Sequence, residues 1–311
     1  MEFFHRVPHI NFLAARKVAL AASTVVFLAA CISLATRGLN LGLDFTGGVV
    51  VEIGFPKVVP DLGALRRLVT ASGFPHADIS RFGHNPDVLI RLRPKHKTVG
   101  KRVAVTLART IVAHYPDAKV VSTELIGPQV GSALREKGIT AMVATLVLIL
   151  LYVAFRFEWR FAVGAIAATI HDVVFTIGFF SFTGIGFNLN VLAAILAIMG
   201  YSLNDTVVVF DRIREDFRKF RRGAPLELMN IAINETLSRT LMTSFMTLLV
   251  VVALLLVGGP VLRGFSIALF VGILVGTYSS IFIASATALM LGVDRSDLLP
   301  RRREDLVDGR P

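Results

Sequence analysis

Six stretches of this sequence are apolar for long enough to cross a bilayer, and that pattern leaves few folds open. They lie at 18–36, 139–155, 161–182, 187–209, 241–257 and 264–291. At about 1.5 Å of rise per residue each helix reaches roughly the 30 Å of a hydrocarbon core, the second one only just. Hydrophobic residues make up 54% of the 311, and the mean hydropathy is +0.68, well above that of a soluble domain. The chain is therefore expected to be an α-helical integral membrane protein with six transmembrane helices.

The first stretch follows Arg16 and Lys17, and Leu28-Ala29-Ala30-Cys31 looks like a lipoprotein cleavage box. Its apolar run continues past Cys31 and is longer than a signal peptide's core, so an uncleaved anchor is expected. Cys31 is the one cysteine, which excludes an intrachain disulfide.

Net charge is +11, and its distribution carries more information than its sign. Basic clusters at Arg16 and Lys17, Arg156 and Arg160, and from Arg212 to Arg222 alternate with loops holding no Lys or Arg (183–186) or only Arg263. The positive-inside rule then places residues 1–17, the basic loop 210–240 and the tail 292–311 in the cytoplasm. A basic helix at 211–222 with Ile213, Phe217 and Phe220 on one face also invites a nucleic-acid reading. Topology and contact with anionic membrane lipids account for the charge more simply, and no nucleic-acid partner is expected.

Residues 37–138 have the composition of a soluble domain, and the topology puts them outside the cytoplasm. Their pattern reads strand 44–55, helix 61–72, strand 78–82, strand 88–93, helix 99–115, strand 119–125. That βαββαβ order predicts an inserted α+β ferredoxin-like domain. His76, His84, His96 and His114 are scattered without metal-ligand spacing and read as surface residues. The five later spans form a helix bundle. Gly272 with Gly276, and Gly164 with Ala168, are small-residue pairs at helical spacing that allow close backbone approach.

Across the six spans the carboxylates are Asp172 and Asp205, accompanied by His171 and Asn204. Each costs about 2.5–3.5 kcal/mol at mid-helix, so a functional role is the first expectation and an interhelical hydrogen bond the alternative. Counted from Arg160, Asp172 lies roughly 18 Å deep; counted from Arg212, Asp205 lies roughly 10 Å deep. Burial keeps a carboxyl protonated and a nearby guanidinium ionises it, a balance that suits a proton relay. Arg239, just before the fifth span, is the nearest candidate cation. No phosphate-binding loop, G-x-S-x-G or H-E-x-x-H motif is present. The remaining energy source is the membrane gradient, worth about 2.3 kcal/mol per charge per 100 mV.

Five segments, in order, resemble the SecD/SecF family of the bacterial protein translocase, a branch related to RND transporters. They are Leu43-Asp44-Phe45-Thr46-Gly47-Gly48, Ile126-Gly127-Pro128-Gln129-Val130-Gly131, His171-Asp172, Tyr201-Ser202-Leu203-Asn204-Asp205-Thr206 continuing through Phe210-Asp211-Arg212-Ile213-Arg214-Glu215, and Ser238-Arg239-Thr240. The resemblance implies an RND-like half in the bacterial inner membrane that works without a cofactor. It implies SecD as the partner supplying six further spans, the SecYEG channel, and unfolded preprotein as cargo, with the proton gradient as energy source. It also implies that Asp205 and Arg239 belong to the proton pathway, while His171-Asp172 is compatible with packing. Two rivals remain on the residues alone. A small-molecule exporter of the RND type would need more protein than six spans and one external domain. An intramembrane aspartyl protease would use Asp172 and Asp205 as a dyad, but Gly200-Tyr201-Ser202-Leu203-Asn204-Asp205 departs from the Gly-x-Gly-Asp of those enzymes.

Overall fold

A computed structural model describes residues 7–56, 59–75, 77–82, 87–92, 100–220 and 222–293. Along the chain, a 3-10 turn (Phe12–Ala15) leads into α1 (Arg16–Arg37), and a one-turn helix α2 (Leu43–Thr46) precedes β1 (Gly48–Gly54). There follow α3 (Leu62–Ala71), β2 (Asp78–Phe82), β3 (Asp87–Leu92), α4 (Gly100–His114) and β4 (Lys119–Ile126). The remainder is helical: α5 (Pro128–Arg156), α6 (Trp159–Thr183), α7 (Leu189–Lys219), α8 (Pro225–Val257) and α9 (Gly259–Ser279), which runs through a π-helical turn (Ser280–Ala284) into α10 (Ser285–Met290). Among the described residues six helices are long and apolar enough to span, the last formed by α9, the π turn and α10.

The inserted domain is a four-stranded antiparallel sheet in the order β2-β3-β1-β4, the ferredoxin-like arrangement expected of βαββαβ. Alternate residues Val49, Val51 and Ile53 of β1 point to one face. There they meet Ile90 of β3, Leu65 and Val69 of α3, and Leu107 and Ile111 of α4 in a closed core. The strand expected from Asp44 begins only at Gly48. Leu43 and Phe45 are buried as a helical turn, and Gly47 and Gly48 then adopt φ of 73° and 152°, which L side chains rarely adopt. His76, His84 and His96, and part of the tail expected at 292–311, lie outside the described residues.

This Leu43–Gly48 corner joins the domain to the bundle. The Gly42 N–H donates to the Phe187 carbonyl at 2.7 Å, and the Phe187 N–H to the Asn40 carbonyl at 2.8 Å. Asp44 accepts from the Leu189 N–H at 2.9 Å, a carboxylate at the positive end of α7. A Cβ on Gly131 of α5 would stand 2.9 Å from the Gly47 nitrogen, so α5 leaves the sheet pressed against the same corner.

The stretch 210–240, expected as a loop, is helical over 210–219 and 225–240: α7 runs on to Lys219, and α8 starts at Pro225 in the favoured first-turn position. The reason lies in the spacing of its apolar residues. Phe210, Ile213 and Phe217 face Leu228, Met229, Ala232, Ile233 and Leu237 in one buried cluster, so these turns are held by packing beyond the apolar run. The second span likewise starts at Pro128, eleven residues before the expected 139, since a count of apolar residues sees only the lipid-facing part of a helix. One end of the bundle thus gathers Arg16, Lys17, Arg156, Arg160, Arg212 and Arg214, while the sheet domain sits at the other. At the charged end the N-terminal segment is tied down, with Asn234 accepting from the Ile10 N–H and donating to its carbonyl at 2.9 and 2.8 Å.

Candidate functional site: two buried carboxylates

Asp172 and Asp205 both lie inside the bundle, 0% and 7% exposed. The small residues of α9 explain how polar partners reach them. A Cβ on Gly272 would overlap Ile198 of α7, and one on Gly276 would touch Ser202 at 3.2 Å, so α9 rides directly on α7. On the other side, a Cβ on Gly164 would stand 2.6 Å from the Ala284 carbonyl oxygen, which brings α6 equally close to the π turn.

That approach carries Ser279 and Ser280, at the junction of α9 and the π turn, between the two carboxylates. Ser279 donates to Asp172 Oδ2 at 2.7 Å, joined there by Ser202 of α7 at 2.5 Å. His171 Nδ1 lies 3.0 Å from Asp172 Oδ1. Ser280 donates to Asp205 Oδ2 at 2.5 Å, and Thr240 of α8 donates to Oδ1 at 2.6 Å. Consecutive residues of one helix therefore serve different acids, because a step of about 100° turns one side chain toward Asp172 of α6 and the next toward Asp205 of α7. The π turn sits where such irregularities commonly mark function, and the Ser285 hydroxyl donates to the Ser280 carbonyl across it at 3.1 Å.

Each serine hydroxyl has one proton and two acceptors in reach. Ser279 can also donate to the Gly276 carbonyl at 3.1 Å, and Ser280 to the Thr277 carbonyl at 3.0 Å. A hydroxyl that supports an ionised carboxylate can thus turn to its own helix and accept from the protonated acid. The pair of serines can hold either form of both acids without leaving a donor unsatisfied.

Neighbouring serines of one helix hold the two acids. Counting back from Arg212 misleads because α7 continues past that charge, so Arg212 does not mark the end of the helix. Nor do the acids form a dyad: each has its own donors. Arg239 is exposed and close enough for its charge to act on Asp205, without a hydrogen bond to it. Asn204 is also exposed, about 100° around α7 from Asp205. Ser202, Thr240, Ser279 and Ser280 escaped the sequence reading because hydroxyl residues are ordinary inside apolar helices. The available signal was the Ser279-Ser280 pair following Gly272 and Gly276, and Ser202 three residues before Asp205.

A second polar cluster lies at the charged end, beyond the apolar part of α7. Arg212 pairs with Glu235 of α8 and, at 2.6 Å, with Glu215, while its Nε is 3.6 Å from Asp216 Oδ1. Asp216 is wholly buried. Burial first, and the Glu235 charge second, push its carboxyl up to about 6 against the pull of Arg212. Arg156 pairs with Asp211 at 2.9 Å, and burial raises the Glu158 carboxyl against the influence of Arg160, Arg214 and Arg218. No group of His, Cys, Asp and Glu among the described residues could hold a metal ion.

Comparison with known proteins gives a consistent result. Residues 96–294 match the family described as protein export membrane protein SecD/SecF, C-terminal, and residues 32–55 match the SecD/SecF GG motif. The second match contains Gly47 and Gly48. The protein translocase subunit SecF of Pseudomonas aeruginosa is 45% identical over 306 residues, 98% of this chain and 99% of that one. That of Vibrio alginolyticus is 46% identical over 300 residues, 95% and 94% of the two chains. The crystal structure of SecDF, a translocon-associated membrane protein, from Thermus thermophilus superposes with a TM-score of 0.79 at 41% identity, over 91% of this chain and 39% of that chain. SecDF in its super-membrane-facing form gives 0.73 at 38% identity, over 98% and 40%. The chain spans about two fifths of the length of these solved structures.

Proposed function

The chain belongs to the SecD/SecF family of protein export membrane proteins, and from that premise we propose that it is the proton-carrying half of an export motor. In this reading it pairs with SecD in the bacterial inner membrane and uses the proton gradient to help unfolded polypeptides complete their passage through SecYEG. Its basic end faces the cytoplasm, with both termini there, and the sheet domain lies outside. The charge asymmetry between the two ends supports that orientation.

The observation that carries the reading is Asp205, buried at the junction of α7, α8 and the π turn with a hydroxyl on each oxygen and a guanidinium nearby. In apolar surroundings a carboxyl keeps its proton; an approaching guanidinium and two donated hydrogen bonds favour its release. A movement of α8 relative to α7 that varied the distance to Arg239 would alternate those conditions, so a proton taken from one side could be given up to the other. Asp172, tied to α6, α7 and α9 through Ser202 and Ser279, positions the serine pair and couples its helix to any such movement. The exposure of Arg239 and Asn204 on an otherwise apolar bundle supports a second bundle packed over them, since charged groups in spans face protein or water rather than lipid.

The test is preprotein export into inverted vesicles containing the chain with its SecD partner, with and without an imposed proton gradient. Asp205→Asn should abolish the gradient stimulation while leaving insertion and pairing intact. Arg239→Lys should keep only part of it, because an ammonium lacks the planar two-point fork of guanidinium, and Asp172→Asn should do less harm than Asp205→Asn. Full stimulation in Asp205→Asn would leave that residue a packing element and overturn the reading.

A further inference from the structure

Asp216 is an anomaly at the charged end of the bundle. It is 0% exposed, and neither of its carboxylate oxygens has a hydrogen-bond donor. Glu235 of α8 is its neighbour, since both acids lie at Arg212 Nε, Glu235 hydrogen-bonded to it and Asp216 Oδ1 3.6 Å away. Among the described residues the cation beside Asp216 is Arg212, whose Nε at 3.6 Å is too far for a hydrogen bond and which is engaged instead by Glu235 and Glu215. Two neighbouring carboxyls, one of them without a donor of its own, repel when both are ionised and attract when one proton is shared.

This pair lies in line with the buried site. Arg212 and Asp216 follow Asp205 by seven and eleven residues, each within about 20° of the same helix face, so the three form a line roughly 16 Å long on α7. On α8, Glu235 precedes Arg239 by one turn, and Thr240, which donates to Asp205, comes next. The same two helices thus carry an acid, a base and a second acid along one seam. Arg239 lies between the two acidic positions, and the far end is partly open to solvent: the side chains of Arg212 and Glu235 are 27% and 23% exposed.

We propose that Asp216 and Glu235 hold one exchangeable proton between them and, with Arg212, form the station through which protons pass between Asp205 and the aqueous phase at the charged end of the bundle. The reading rests on the proton-carrying role proposed for Asp205. The proton is bound when one carboxylate of the pair accepts it as O–H donating to the other; it is released when the pair separates or Arg212 swings onto Asp216 and takes the place of the O–H donor. No bond other than O–H is made or broken. The charged groups acting on Asp216 are Glu235 from α8 and Arg212 and Glu215 from its own helix, and its rise to about 6 fits a site that loads and unloads near neutral pH.

Two measurements test this. The first is an infrared pH titration of the full chain in lipid nanodiscs, following the carbonyl band of protonated carboxyl groups, for the natural chain, Asp216→Asn and Glu235→Gln. A proton bound around pH 6 should vanish in Asp216→Asn. In Glu235→Gln it should move to lower pH, because the like charge is gone while Arg212 stays. A band unchanged in both variants would overturn the shared proton, whatever happens in transport. The second is gradient-driven export with SecD present, as the pH at the basic face is varied. The natural chain should change rate several-fold across the titration, and each variant should flatten or displace that profile. Identical profiles in all three would overturn the station even if the infrared result stood. Glu235→Gln keeps the second test decisive if Asp216→Asn folds poorly, and loss of stimulation in Asp205→Asn, measured alongside, separates a failure of this proposal from a failure of the one beneath it.

Discussion

Asp205 is served by two hydroxyls from two different helices, and each is an independent handle on its ionised state. Ser280→Ala removes the donor to Oδ2 and leaves Thr240 in place. Loss of one buried donor costs about 1–3 kcal/mol, so gradient-stimulated export should slow by roughly tenfold, while Ser280→Thr, which keeps the hydroxyl, should retain most of it. At Asp216 the effect is one of stability and its sign follows from the direction of the shift. A carboxyl lifted to about 6 from 3.8 binds its proton more tightly in the folded chain than in the unfolded one. Its stabilising contribution is then complete below about pH 4 and is lost as pH rises through about 6. Asp216→Asn is neutral throughout. Thermal unfolding in detergent should find the variant more stable than the natural chain near pH 8 and indistinguishable from it near pH 4; a gap that widens on acidification would contradict the assignment.

The element that matters most is the last span, because α9 must lie against α7 for its serines to reach the acids. Gly272 makes that contact: its missing side chain leaves the space that Ile198 fills. Gly272→Leu touches no polar group, yet it should push α9 off α7, cost about 1–3 kcal/mol through overpacking and abolish gradient stimulation. Pairing Gly272→Ala with Ile198→Ala should recover most of what Gly272→Ala alone loses, since the space is returned from the other side. Export rate and melting temperature of the single and double variants measure the coupling directly. The corner at Leu43–Gly48 acts in the same way at the opposite end of the bundle, where Gly47 and Gly131 let the sheet domain and α5 meet without side chains between them.

At the scale of the whole molecule the question is what covers the outer surface. In their most apolar windows, α1 and α5 bury 11% within the chain and α8 buries 17%, against 50% for α6 and for the last span. The outer three turn most of their surface to lipid or a second bundle, and the inner elements carry both acids and their serines, with Thr240 reaching in from α8. The proposed orientation is open to a direct test. Single cysteines in place of Arg109 on α4 and Lys219 at the end of α7, in a Cys31→Ser background, should react with an impermeant maleimide from outside and inside the cell respectively. The reverse pattern would overturn the topology.

The sequence by itself determined the class of fold, because hydrocarbon admits few ways of satisfying a backbone and six apolar runs are visible in a residue count. It also determined the ferredoxin-like order of the inserted domain, whose alternation and turn residues are local signals, and it singled out Asp172 and Asp205 as the acids of the spans, since charge inside an apolar run stands out. Only the tertiary structure decided that neighbouring serines hold those acids, that α7 runs on to Lys219 and α8 starts at Pro225, and that Asn204 is exposed. It alone brought Asp216 against Glu235. The physical reason is the same in each case: a hydroxyl in a helix, or an acid in a basic stretch, becomes distinctive only through what a different helix places within hydrogen-bonding distance of it, and that distance is set by packing between segments far apart in the chain.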